Sequence, residues 1–101
     1  MENNGIWINA NGLIGKKDWD ELRVYLTNLR NENEETIEVI EIEVIEFVLA
    51  PSAPVPTGDF AILSLNNDMS KINEIEKELN ERFKGIKITT ASRTKFDIMN
   101  D

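Results

Sequence analysis

The sequence predicts an α+β sandwich, a four-stranded antiparallel sheet with two helices on one face. Three observations lead there. Apolar residues recur at spacings of three and four in two segments and in strand-like runs in four others. The elements follow the order βαββαβ, which closes most simply through two split crossovers with strand order 4-1-3-2. The most apolar run then falls on a central strand, and the most charged run falls on an edge.

Residues 5–10 (GIWINA) open the chain as a short strand, with Ile6, Ile8 and Ala10 on one face and Trp7 and Asn9 on the other. The loop NGLIGKK (11–17) follows. Asp18 is expected to start the first helix, with Glu21 completing a capping box and Asp20 favoured at the positive end of the dipole. Its apolar stripe is Trp19, Leu22, Tyr25, Leu26 and Leu29, fading near Asn31.

Residues 36–49 (TIEVIEIEVIEFVL) set four glutamates among nine apolar residues, seven of them β-branched. A helix would scatter Glu38, Glu41, Glu43 and Glu46 around its barrel, whereas β-branching favours a strand. Alternation slips twice along the run. Bulges near 39–40 and 44–45 would restore it and gather all four glutamates on one anionic face. The reading is a long, bent edge strand.

Residues 50–58 (APSAPVPTG) hold three prolines and are expected to form a stiff loop outside any central strand. Residues 59–65 (DFAILSL) read as that central strand. Asn66 to Asp68 turn the chain, with Asp68 as N-cap of a second helix whose stripe is Met69, Ile72, Ile75, Leu79 and Phe83. Gly85 suits a left-handed helix end, with Lys84 favourable near the negative pole. Residues 86–91 (IKITTA) form the last strand. The expectation is one domain over 1–101, with a folded core at 5–91 and a polar tail at 92–101 that only Phe96, Ile98 and Met99 would dock. This is the ferredoxin-like arrangement, which many functions share.

Composition narrows the chemistry. At 101 residues, 41% hydrophobic and 30% charged, the chain is expected to be soluble and globular. It has no His and no Cys, so Ser–His–Asp and Cys–His nucleophiles are excluded, as is zinc held by thiolate or imidazole. Carboxylate, Lys or Tyr chemistry and oxygen-ligated metals remain. The expectation is a non-enzyme without cofactor or metal. No run approaches the length that spans a membrane, and the first residues, MENNGIW, do not read as a secretory signal, so a cytoplasmic location is expected.

The net charge of −8 is regional. No Lys or Arg occurs between Arg30 and Lys71, where nine of the 19 acids lie, leaving 10 acids against the 11 basic residues elsewhere. Such a region repels nucleic acid and attracts basic surfaces.

Four candidate sites follow. Glu38, Glu41, Glu43 and Glu46 are either a solvated edge that prevents aggregation, an anionic stripe for a partner, or a metal site. Alternate strand carboxylates lie roughly 7 Å apart, close to the phosphate spacing of a nucleic-acid strand. A flat solvated row wraps a metal ion poorly. Gly12, Gly15, Lys16 and Lys17 form a glycine-bearing turn before a helix, either an ordinary turn or an anion site. This stretch resembles a phosphate-binding loop, although Lys17 stands where Ser or Thr would hold Mg²⁺, and its Gly-Leu-Ile-Gly resembles the GXXG loop of KH domains. Trp7, Asn9 and Phe60 would make a base-stacking or dimer face if Trp7 points away from the helices; the plainer reading is core. Pro54 and Pro56, with Pro51, form either a rigid connector or a recognition arm.

The leading expectation is a small acidic protein-binding inhibitor. In size and composition it is similar to toxin-neutralising immunity proteins and phage-encoded inhibitors of bacterial defence nucleases. Its partner would be a protein with a basic surface, with no direct nucleic-acid or membrane binding and a homodimer as an option. The alternatives are a module sensing a small anionic ligand and a structural subunit of an assembly.

Overall fold

The computed structural model describes residues 4–10, 13, 15–48, 54–66 and 68–92, with 43, 45–48 and 54–56 described by backbone alone. Its elements are β1 (Gly5–Asn9), α1 (Gly15–Glu32), β2 (Ile37–Val48), β3 (Pro54–Ser64), α2 (Met69–Arg82) and β4 (Lys87–Ala91). The sheet is antiparallel with the order β2-β3-β1-β4, the ferredoxin-like arrangement. β3 and β1 are central, β2 and β4 are edges.

One core joins both helices to one face of the sheet. Ile6 and Ile8 of β1, Phe60 and Ile62 of β3, and Ile37 of β2 pack against Trp19, Leu22, Leu26 and Leu29 of α1 and Ile72, Ile75 and Leu79 of α2. Trp19 and Phe60 meet with ring centroids 5.5 Å apart. Both apolar stripes read from the sequence thus face inward, with Tyr25 and Met69 only partly covered.

The other sheet face carries Gly5, Trp7, Ala61, Leu63 and Ala91. Ala61 and Leu63 are fully buried there as well. Gly5 is required at its position, since a Cβ would run into the backbone carbonyl oxygen of Ile62 and come within 2.6 Å of Leu63 Cδ2. Trp7 is half-buried on this face and its Nε1 donates to Asp59 Oδ2 at 2.8 Å. Phe60 points to the helices, so it cannot share a stacking face with Trp7 and Asn9.

The helix ends differ from expectation in two places. α1 begins at Gly15, whose φ of 84° only glycine adopts readily, rather than at Asp18. Lys16 and Lys17 are therefore first-turn helical residues. α2 ends at Arg82 with an extended Phe83 as C-cap, its N–H bonding Leu79 O, so Gly85 is not used as a left-handed cap. Asp68 caps α2 as expected by accepting from Ser70 N, which holds its carboxyl below the usual carboxylate range. The buried Ser64 hydroxyl organises that turn by accepting from Asp68 N at 3.0 Å and donating to Asn66 Oδ1 at 2.8 Å.

β3 is longer than the expected 59–65. It starts at Pro54, so Pro54 and Pro56 lie in a strand rather than in a loop. They are tolerated because β1 pairs only with 59–63, leaving the first part of β3 paired with β2 alone. Pro51 and the tail beyond Ser92 lie outside the described residues, and Ser92 itself is buried.

Candidate functional site

β2 carries the strongest sequence signal, and its ladder fixes where the glutamates go. From Ile37↔Ser64 to Ile42↔Asp59 the register with β3 is unbroken; it then shifts by one residue before Ile45↔Thr57. Gly58, at φ 137°, lies opposite the shift. There is one irregularity, between Ile42 and Ile45, not two.

The missing bulge at 39–40 overturns the single anionic stripe. In a regular ladder residues three apart point to opposite faces. Glu41 shares the helix-side face with its partner Phe60 and is met there by Arg23 Nη2 of α1 at 3.2 Å. Glu38, opposite Leu63, is half-buried on the other face. Isoleucine pays no penalty in breaking the sequence alternation here, because an edge exposes Ile40 and Ile42 only partly. The backbones of Glu43 and Glu46 continue β2, Glu46 paired with Pro56 and Val48 with Pro54; the side chains of these residues lie outside the description.

The edge itself has a definite phase. Leu65 N donates to Thr36 O at 2.9 Å. Antiparallel pairs alternate between bonded and non-bonded, so 38, 40 and 42 bond toward β3. The N–H and C=O groups of Val39 and Glu41 and the C=O of Ile37 therefore point away from the sheet, where no strand among the described residues meets them, while the Ile37 N–H donates to Asn33 O at 3.0 Å.

The glycine–lysine turn is described only in part. Gly12 lies outside the described residues, and Gly15 is the first residue of α1. Lys16 Nζ is engaged by both oxygens of Asp20 at 2.8 and 2.9 Å, one helical turn on.

Lys17 instead lines a feature not expected from the sequence, a groove of about 790 Å³ between α1 and α2. Its walls include Val24, Tyr25 and Leu29 of α1 and Lys71, Glu78 and Arg82 of α2. The Arg82 guanidinium lies 4.8 Å from the Tyr25 ring centroid, a cation–π contact. The Tyr25 hydroxyl is buried without a hydrogen-bond partner. Burial, and then the Glu78 carboxylate, push its pKa up to about 12 against the opposing pull of Arg82. The signal was Tyr25 itself, the one hydroxyl-bearing member of the α1 stripe.

No three acidic side chains among the described residues converge to hold a metal ion, and no described helix is long and apolar enough to cross a membrane. No family model, curated protein or solved structure matches this chain.

Proposed function

We propose that this chain is a non-catalytic binding protein that docks the acidic edge strand β2 on a basic surface of a protein target. An inhibitor of the immunity-protein or phage anti-defence kind, acting on a nuclease, fits that chemistry. The observation that supports it is the coincidence of a 12-residue edge strand with the stretch of chain that lacks any Lys or Arg. Attraction would steer the encounter, and the bound edge would occlude the target's own anion-binding surface. Capture from the encoding organism tests it, comparing the native chain with Glu38→Lys/Glu43→Lys. Basic proteins held by the native chain and released by the variant or by salt support the reading. The same proteins held equally by both overturn it.

A second reading, a module sensing a small ligand, is favoured by the interhelical groove, whose size suits a metabolite. A thermal-shift screen with phosphorylated metabolites and nucleotides checks it, since a specific ligand raises Tm.

A further inference from the structure

We propose that the partner joins β2 by strand addition, as a cationic extended segment whose basic residues stand three apart, one on each face of the enlarged sheet. This rests on the reading above and adds the mode of binding and the partner's pattern.

Between Ile37 and Ile42 the edge offers Val39 and Glu41 as alternate outward hydrogen-bonding residues, with the Ile37 C=O beside them, at the repeat an antiparallel strand needs. Natural edges are usually blocked by lysine, proline or a bulge. This stretch has none of them: the register shift comes after Ile42, and the prolines of the hairpin lie on β3. Its guards among the described residues are carboxylates.

Carboxylate guards are selective. The spacing of Glu38, Glu41, Glu43 and Glu46 reads the same in both directions about Ile42. A second copy pairing antiparallel about that point would set Glu41 against Glu43 and Glu38 against Glu46, each twice. Like charges directly opposite are destabilising, and β2 contains no cation to relieve them in any other register. The same charges favour a strand bearing Lys or Arg. Because Glu38 and Glu41 lie on opposite faces, the cations facing them must be three apart with two apolar residues between, opposite Val39 and Ile40. At both positions the incoming cation would join an interaction the carboxylate already makes, that with Arg23 in the case of Glu41.

Two synthetic peptides of one composition test this, one with lysines three apart around two valines, the other with lysines two apart. The first should bind about fivefold tighter, the size of one misplaced cross-strand charge pair. It should slow hydrogen exchange at the Val39 and Glu41 amides. Val39→Pro removes an outward N–H without touching the β3 ladder and should abolish binding, and N-methylation of the peptide backbone should do the same with the native chain. Equal binding of both peptides without amide protection overturns strand addition but leaves docking by charge standing. Binding of neither peptide also overturns it, while the capture experiment judges the reading beneath it. A free chain that is already a dimer with those amides protected makes the occupant a second copy and overturns the cationic segment.

Discussion

From Phe60 to Ser64 every residue of β3 is buried, whichever face it points to; across the same ladder β2 passes from a buried Ile37 to an exposed Glu41. Glu41 and Phe60 are direct partners on one face, yet Phe60 is 1% exposed. Face alone therefore does not decide polarity in this sheet. β3 has a neighbouring strand on each side, and from Phe60 to Ser64 both of its faces are covered. β2 has one neighbour, and a long side chain can turn outward over the rim from either face.

The pair offers a direct way to break that account. Phe60→Ala should destabilise the fold by about 3–5 kcal/mol, since it empties the space against Trp19. Glu41→Ala, directly opposite, should cost at most about 1 kcal/mol. Denaturant unfolding of both variants is the measurement, and comparable losses would show that the rim is as tightly packed as the centre. Gly5→Ala carries the contrast to the second sheet face. Its Cβ would run into the backbone carbonyl oxygen of Ile62 as well as the Leu63 side chain on β3. A loss of about 1–3 kcal/mol is expected from such overpacking, and a neutral result would mean that the face away from the helices yields more readily than its burial implies.

The same contrast explains what was legible in the sequence. Elements with complete neighbours wrote clear patterns: the stripes of α1 and α2, the central place of the apolar run at 59–65 and the cap at Asp68 read correctly, although the strand itself runs from Pro54 to Ser64. β2 did not, because an edge relaxes the alternation that pattern reading assumes. Ile40 on the rim looked like a phase slip and suggested a bulge, although the ladder is regular through it. Pro54 and Pro56 misled for a related reason, since proline argues against a strand only where both sides are paired. The interhelical groove was illegible because it depends on residues of two helices far apart in the chain, which no local spacing encodes.

Tyr25 marks the boundary between the two regimes, where burial and charge act on one group. Its hydroxyl is held neutral in the fold up to about pH 12, above its ordinary 10. A raised acid pKa stabilises the fold while the group stays neutral, so this contribution is present below about pH 10 and is lost as pH rises through 12. Tyr25 is the single tyrosine, so its ultraviolet titration is unambiguous. Glu78→Gln should move the midpoint down, because the second cause of the shift is removed. A midpoint near 10 in the native chain would place Tyr25 with the solvated rim.

The smallest effect expected is at the rim itself. Arg23 and Glu41 are both partly exposed, 39% and 49%, and meet at 3.2 Å. A double-mutant cycle with Arg23→Ala and Glu41→Ala should give a coupling of about 0.2–1 kcal/mol that fades as salt is raised. A coupling well above that range, insensitive to salt, would mean that α1 clamps the edge through a desolvated ion pair. The Glu41 carboxylate would then be committed within the chain, and an incoming cation would have to compete with Arg23 instead of joining it. A weak, salt-sensitive coupling leaves Glu41 as an anion that Arg23 orients toward the edge without neutralising it.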